Sequence, residues 1–491
     1  MNREVQRVSW RMFHVSVQNS GQKAKRRKQA MRESMPHLPL KKNTAIPTVQ
    51  ALTHFDQFYG SVFKSKWSSI RLGLLSTSKH AVIVNNFANP EDTCQMLQEL
   101  GAINILDEFN KGYQKVAPYI PDDTAVPCDD EQTEDSEKSQ QSSADEVDED
   151  IEEVQQEEYK SLDPDEASKR IIKPDTNFLS GNSSQLYQFM PTAKLKGMEE
   201  FVEESEYYDS YVKVDKHSVR STPFTRFNFP KHLHCYTFAR SDLSRFPSPR
   251  ASSLSTYNYY CLDGASLLPV LALDVQPGHS VLDMCAAPGG KSLAVLQTLY
   301  PSTMVCNDVD YTRVKRLLNV LDQYLGKGDG IGDSRRNVSV TRRDGVEMCE
   351  YGSYDRVLVD APCYSDRHSA TSEEGNIFVK TEIKNRLKMP EKQSELLKNG
   401  LKHLAPGGSL VYSTCTLSPV QNDGVVHRVL SQLWEETSLN FEVADMELAV
   451  KPFKFMCKIL GAREGIKYGQ LVVPFLPNNF GPMYFCKINR V

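Results

Sequence analysis

One stretch, Ser280–Lys291, constrains the fold more than any other: SVLDMCAAPGGK. A short apolar run ends at Asp283. A turn of small residues follows, Cys285-Ala286-Ala287-Pro288-Gly289-Gly290, and Lys291 leads into the apolar-periodic SLAVLQTLY. This order predicts strand, tight loop and helix, the opening βα unit of a doubly wound sheet. Small residues and two glycines let a ligand approach the backbone at a helix N-terminus. The spacing is neither G-x-G-x-x-G nor G-x-x-x-x-G-K-[ST], so dinucleotide and P-loop readings fit poorly. On the loop alone, a glycine turn with no ligand stays open.

The same alternation continues downstream. TMVCNDVD predicts a second strand ending at Asp308, and TRVKRLLNVLDQYL a helix. NVSVTRRDG predicts a third strand ending at Asp344-Gly345, and YDRVLVDAPC a fourth ending at Asp360. EKQSELLKNGLKHL predicts a helix closed by Pro406-Gly407-Gly408, and SLVYSTC a fifth strand. GQLVVPFLPNNFGPMYFCKIN predicts two strands around a Pro/Asn/Gly turn. Upstream, LDGASLLPVLALDVQPG predicts a helix ended by Pro277-Gly278. Alternating strands and helices imply an α/β fold with a doubly wound, largely parallel sheet, whose ligands sit at the carboxyl ends of the strands.

Those carboxyl ends carry a consistent set of residues. An acid at Asp308 suits the two hydroxyls of a ribose, because one carboxylate accepts from both. Arg313, opening the next helix, can orient that acid or the ligand. Asp344, beside Gly345, offers an acceptor for an adenine amino group. For any single acid a helix N-cap is the plainer reading. Three at successive strand ends, beside a glycine loop without a pyrophosphate cradle, point to S-adenosylmethionine. The fold expected is therefore the Rossmann-like type of S-adenosylmethionine-dependent methyltransferases.

Two cysteines end the fourth and fifth strands, in Asp360-Ala361-Pro362-Cys363 and Ser413-Thr414-Cys415. If those strands are neighbours, about 4.8 Å apart, both thiols can face one crevice. A buried cysteine is usually a small hydrophobe, and a disulfide is a further rival. One chemistry uses all the parts. Carbon 5 of a pyrimidine is a poor nucleophile. A thiolate adding to carbon 6 makes the ring an enamine that can attack a methyl sulfonium. An acid near ring nitrogen 3 stabilises the developing charge, and a second group helps remove the carbon 5 proton and release the thiol. The residues alone leave open which thiol attacks.

The rest of the chain, 491 residues with a net charge of −5, is uneven. Residues 1–35 are Arg-rich and acid-poor, with Arg3, Arg7 and Arg11 on one helical face, the composition of a mitochondrial transit peptide. A basic tail or a nuclear signal in KAKRRK is the alternative. Residues 46–115 read as a small N-terminal α/β subdomain: SIRLGLLS and HAVIVNNF as short strands, EDTCQMLQELGAINILDEF as an amphipathic helix. Residues 121–175 form an acidic stretch too poor in apolar residues to offset its ordering entropy, hence a disordered linker. Between Phe224 and Arg240, basic residues interleave with aromatics. That suits phosphate contact and base stacking, or a half-buried strand pair equally well. Eleven cysteines show no C-x-x-C pair and no Cys/His ligand spacing, so neither a structural zinc nor another metal site is expected. No apolar run approaches the roughly 20 residues of a membrane span.

LDGASLLPVLAL, VLDMCAAPGGK, DAPC and STCTLSPVQN, in this order and spacing over about residues 220–491, resemble the Nop/Sun RNA cytosine-5 methyltransferases. DRHS after DAPC, VVPFLPNNFGPMYFCKI, HFDQFYGSVFKSKWSSIRLGLL and HAVIVNNFA are most similar to its mitochondrial ribosomal-RNA branch. The resemblance implies a methyltransferase domain over 205–491 that acts on mitochondrial small-subunit rRNA in the matrix and supports ribosome assembly. It implies Cys415 as the nucleophile, Cys363 as the residue that assists adduct breakdown, and Asp360 contacting both cytosine and cofactor. Gly289, Gly290, Lys291, Asp308, Arg313, Asp344 and Gly345 would line the S-adenosylmethionine pocket. No appended RNA-binding module is visible, so the resemblance also implies a partner, a mitochondrial transcription-termination-factor-like helical repeat protein. Two departures stand out: Gln421-Asn422-Asp423 replaces an E-N-E-like pattern, and the acidic stretch is foreign to the family. The rival from another class is a non-catalytic ribosome-assembly factor that binds RNA on the same fold.

Overall fold

Apolar strands and amphipathic helices alternate along the chain, and they assemble into a sheet covered on both faces. The computed structural model describes residues 46–116, 219–224, 226–252, 255–326 and 337–491. The transit-like segment at 1–35, the acidic linker at 121–175 and the first residues of the 205–491 domain lie outside the described residues. Pro47–Val491 is one compact unit.

The strands are β1 (Ala81–Val84), β2 (Ile103–Asn104), β3 (Ser221–Pro223), β4 (Cys235–Thr237) and β5 (Tyr259–Leu262). They continue with β6 (Ser280–Asp283), β7 (Thr303–Asn307), β8 (Val338–Thr341), β9 (Tyr354–Asp360) and β10 (Leu404–Thr414). The last four are β11 (Phe441–Asp445), β12 (Lys458–Leu460), β13 (Gln470–Val473) and β14 (Met483–Arg490). The large sheet runs β12-β13-β14-β10-β9-β6-β7-β8, with β11 on β14 and β3 on β11. Strands β8, β7, β6, β9 and β10 pair in parallel, as the sequence predicts, and β14 lies antiparallel to β10. The chain winds outward from β6 through β7 to β8, then returns to the other side of β6 at β9. The order therefore reverses between β6 and β9, and such a switch point opens a crevice at the carboxyl ends.

Side-chain alternation builds two cores. Val281, Leu358 and Val411 join the cluster containing Leu293, Leu317 and Leu321, from the helices Gly290–Leu296 and Tyr311–Leu325. Their neighbours Leu282, Val357, Val359, Leu410 and Tyr412 join the other, with Leu397, Leu401 and Val429 from the helices Met389–His403 and Asp423–Glu436. Successive strand residues point to opposite faces, so a sheet buried on both sides needs near-continuous apolar runs such as RVLVD and SLVYST.

Residues 47–116 are woven into this architecture. A second sheet, β2-β4-β1-β5, places β1 between β4 and β5. The helix Pro47–Phe63 buries Phe55, Phe58 and Tyr59 in the same cluster as Tyr364 and Phe378. SIRLGLLS, expected as a strand, lies in the helix Trp67–Leu75, which buries Ile70 and Leu74 one turn apart. EDTCQMLQELGAINILDEF is not one helix. Pro90–Glu99 ends near Gly101, whose φ of +80° only glycine tolerates freely, and a second helix covers Ile105–Val116. The helix before β6, Leu267–Leu273, stops at Asp274 in the left-handed region, ahead of Pro277-Gly278. Between Phe224 and Arg240, Phe227, Tyr236 and Phe238 are buried core residues, and the expected strand pair is reduced to the single short strand β4, paired with β1 and β2. Arg226 stacks on Tyr113, and Arg240 on Phe475.

Arg367 explains why DRHS, SIRLGLLS and PNNF occur in one chain. Its guanidinium donates to the Gly73 and Ser76 carbonyls at 2.9 and 2.8 Å, to the Gly481 carbonyl at 2.9 Å and to Asn479 Oδ1 at 3.1 Å. It satisfies the orphan carbonyls at the end of the helix Trp67–Leu75 and fixes the segment that follows Asp366.

Candidate active site

The crevice at the β6/β9 switch point gathers most of the residues singled out in the sequence. Strand β9 pairs with β10 in parallel, with Asp360 opposite Ser413. That register carries Cys363 and Cys415 to the same end of the sheet, where their sulfurs stand 3.1 Å apart as free thiols. The condition set on the strands, that they be neighbours, is met.

Asp360 is held on both oxygens. Oδ2 pairs with Lys291 Nζ at 2.7 Å, and Oδ1 accepts from Ser413 Oγ at 2.8 Å. Burial alone would lower the Lys291 pKa, but the charge and hydrogen bond of Asp360 outweigh it and the ammonium ends above its usual value. The crevice thus has a fixed cation–carboxylate pair beside the thiols.

The two thiols are not equivalent. The hydrogen bond from the Cys363 thiol pulls Cys415 below the ordinary thiol range; burial opposes this, and the Ser365 hydroxyl at 3.3 Å and the Lys291 ammonium add to the lowering. Cys363 moves the other way, raised by the same contact with Cys415 and by burial. Of the two thiols, Cys415 therefore gives up its proton more readily and Cys363 holds its own more tightly. Asp366 fixes the backbone beyond Cys415, its carboxylate accepting from Thr416 Oγ1 at 2.8 Å and Leu417 N at 2.6 Å. The Tyr59 hydroxyl, from the helix Pro47–Phe63, lies 3.2 Å from Thr416 Oγ1.

The β6 loop is shaped by its glycines. Gly289 has φ +114°, and a Cβ there would come within 3.0 Å of Leu317. A Cβ on Gly290 would come within 3.1 Å of the Tyr260 ring. Gly345, expected to line the pocket, is required by packing: a Cβ would meet Leu396 at 2.8 Å and Met284 at 2.9 Å. Asp344 accepts from Val346 N at 3.0 Å, which shapes its turn.

Asp308 and Arg313 meet as expected, with Arg313 Nη1 3.3 Å from Asp308 Oδ2 and Nη2 donating to the Ala287 carbonyl at 2.7 Å. Asp308 Oδ2 is buried yet has no aligned hydrogen-bond donor, and the same holds for Asp283 Oδ1. Burial pushes the Asp283 carboxyl up to about 7, with the Ser292 hydroxyl donating to its other oxygen at 2.6 Å. A buried acceptor without a donor is costly. A ligand bearing ribose hydroxyls and an ammonium supplies what these two oxygens lack, so S-adenosylmethionine fits the donor–acceptor set.

Four contributors escaped the sequence reading. Buried Asn307 uses its whole amide. It donates to the Met284 and Arg343 carbonyls at 3.1 and 3.0 Å, and accepts from Arg343 N at 2.9 Å and Thr341 Oγ1 at 2.8 Å. It ties together the carboxyl ends of β6, β7 and β8. Ser413 orients Asp360, Ser365 faces Cys415, and Asp366 fixes the following loop. Only Ser413 carried a signal, as it stands two residues before Cys415 and hence on the same strand face.

Replacing Asp308 with Ala is expected to weaken S-adenosylmethionine binding about 10- to 100-fold, the scale of a hydrogen bond to a charged group. Titration calorimetry checks this, and unchanged affinity contradicts the assignment of that carboxylate.

A methyl-donor crevice at the switch point, with two convergent thiols beside a Lys–Asp pair, defines an S-adenosylmethionine-dependent methyltransferase. The sequence profile of the 16S rRNA methyltransferase RsmB/F family matches residues 270–468. The chain is 34% identical over 443 residues to the 5-cytosine rRNA methyltransferase NSUN4 of Xenopus tropicalis, spanning 90% of each chain. It is 34% identical over 462 residues to the 5-cytosine rRNA methyltransferase nsun-4 of Caenorhabditis elegans, spanning 91% of this chain and 92% of that one. Against the mitochondrial tRNA (cytosine(34)-C(5))-methyltransferase of Danio rerio it is 39% identical over 264 residues, 53% of this chain and 67% of the other. The chain belongs to the NSUN4 family of 5-cytosine rRNA methyltransferases. Among the described residues no helix is long and apolar enough to cross a membrane, and no group of three potential ligands converges on a metal position.

Proposed function

We propose that this chain methylates carbon 5 of cytosine in mitochondrial small-subunit rRNA through a covalent adduct on Cys415, and so supports ribosome assembly in the matrix. The observation that carries the reading is the thiol pair, 3.1 Å apart at matching ends of β9 and β10, with the Lys291–Asp360 pair beside it. The bound S-adenosylmethionine supplies an electrophilic methyl group. The Cys415 thiolate adds to carbon 6 of the cytosine and loads electron density onto carbon 5. Asp360, held by Lys291 and Ser413, faces the ring and accepts from its exocyclic amino group, while the Lys291 ammonium offsets the charge that develops on the ring. After transfer, Cys363 assists loss of the carbon 5 proton and release of Cys415.

Gly289, Gly290, Lys291, Asp308, Arg313, Asp344 and Gly345 form the cofactor side of the site, with Asp344 and Gly345 acting through the shape of the β8 turn. The mitochondrial assignment is supported by the composition of residues 1–35. The resemblance to the mitochondrial ribosomal-RNA branch supports recruitment by a mitochondrial transcription-termination-factor-like helical repeat protein. Bisulfite sequencing of organelle and cytosolic rRNA tests the substrate. Loss of the protein should erase one modified cytosine in organelle small-subunit rRNA, and a change confined to cytosolic rRNA or to tRNA contradicts the proposal.

The ionisation of Cys415 sets the pH dependence. The thiolate is the reactive form, so kcat/KM falls as pH drops through the Cys415 pKa. The contact of Cys415 with the Cys363 thiol lowers that limb from the ordinary thiol range. Ser365→Ala removes a donor to the thiolate, so its limb should move to higher pH with the plateau retained. A limb that stays in place, or moves to lower pH, contradicts this role for Ser365.

A further inference from the structure

We propose that Cys415 is a peroxide-sensitive modification site and that Cys363 resolves its oxidised form into a disulfide, which switches off the proposed methyl transfer reversibly. Three observations carry this. The two sulfurs are 3.1 Å apart and both thiols are free. Each is partly exposed at the crevice, so a small oxidant reaches them, whereas Cys235, Cys306, Cys457 and Cys486 are buried. The sulfurs need to close by only about 1 Å to reach the 2.05 Å of a disulfide, and they sit on loops at the ends of two paired strands rather than within the ladder.

The chemistry balances with a hydroperoxide as the oxidant. The Cys415 thiolate attacks one peroxide oxygen. The O–O bond breaks, an S–O bond forms, and the departing hydroxide takes a proton to become water. Cys363 then attacks the sulfur of the sulfenic acid, the S–O bond breaks, and the leaving hydroxide takes the Cys363 proton as a second water. Overall, two thiols lose two electrons and hydrogen peroxide becomes two waters. A dithiol reverses the step by thiol–disulfide exchange. A thiolate with no neighbouring thiol continues to sulfinic acid, which dithiols do not repair. The arrangement that serves adduct release therefore also protects the nucleophile.

The test uses the reduced full chain, free of RNA and cofactor, titrated with hydrogen peroxide, alkylated and mapped by peptide mass spectrometry. The wild-type protein should accumulate a Cys363–Cys415 linked peptide as methyl transfer declines in parallel, and dithiothreitol should restore both thiols and the rate. In Cys363→Ser, Cys415 should instead reach sulfinic acid, and dithiothreitol should restore no Cys415 thiol. Equal sulfinic acid formation in wild type and Cys363→Ser overturns the proposal, as does inactivation without the linked peptide. If the protein transfers no methyl group at all, the thiol mapping still decides this proposal, and only the proposed function fails.

Discussion

Cys415→Ala abolishes methyl transfer while leaving S-adenosylmethionine affinity unchanged. The expected loss is on the order of 10⁵- to 10⁶-fold in kcat, the scale of removing a covalent nucleophile. The loss is this large because, in the proposed route, the cytosine ring has no other way to an electron-rich carbon 5: the contact that lowers the Cys415 pKa raises that of Cys363, the nearest thiol. Cofactor binding should survive because the proposed contacts, the Asp308 carboxylate, Arg313 and the Gly289–Gly290 turn, are set by β6 and β7, not by the end of β10. The cavity left by the thiol is small and opens to the crevice, so the fold is retained. Parallel calorimetry and single-turnover assays check the split. Residual turnover within about tenfold of wild type would contradict the covalent route.

Cys363→Ala is expected to do the opposite of quench the reaction: it should stop it halfway. In the proposed route, addition at carbon 6 and methylation need only Cys415, but release requires the proton at carbon 5 to leave and the Cys415 sulfur to depart. Without Cys363, whose sulfur lies 3.1 Å from Cys415, the methylated cytosine stays attached. Protein and RNA should then migrate together on a denaturing gel, with multiple turnover reduced about 100-fold or more, the scale of losing a general acid–base group. If Cys415→Ala accumulates the adduct and Cys363→Ala does not, the two roles are reversed.

The sequence was most readable where local chemistry and fold agree. SVLDMCAAPGGK becomes strand, turn and helix because its apolar run, small-residue loop and periodic tail each have one cheap conformation. The acids at the strand ends and the cysteines after β9 and β10 were also visible, since strand ends in a parallel sheet have a common destination. What escaped depends on contacts between distant segments. Asn307 looked like an ordinary strand-end residue, and only the folded protein shows it bonding Met284 and Arg343. SIRLGLLS was expected as a strand because short apolar runs do not separate helix from strand; Ile70 and Leu74 settle it by packing one turn apart. The basic and aromatic run at 224–240 invited a base-stacking reading, yet Phe227, Tyr236 and Phe238 are needed inside. Gly345 was singled out beside a strand-end acid, but only the folded protein shows that Leu396 and Met284 leave no room for a side chain there.

The central claim is that Cys415, rather than Cys363, forms the bond to cytosine. The most direct measurement is adduct mapping with the wild-type chain and small-subunit rRNA carrying 5-fluorocytidine, whose fluorine cannot leave as a proton does. With S-adenosylmethionine present, proteolysis and mass spectrometry should find the methylated fluorocytosine on the peptide containing Cys415, with Cys363 unmodified. An adduct on Cys363, or methyl transfer to ordinary rRNA with no adduct on fluorinated rRNA, would contradict the account.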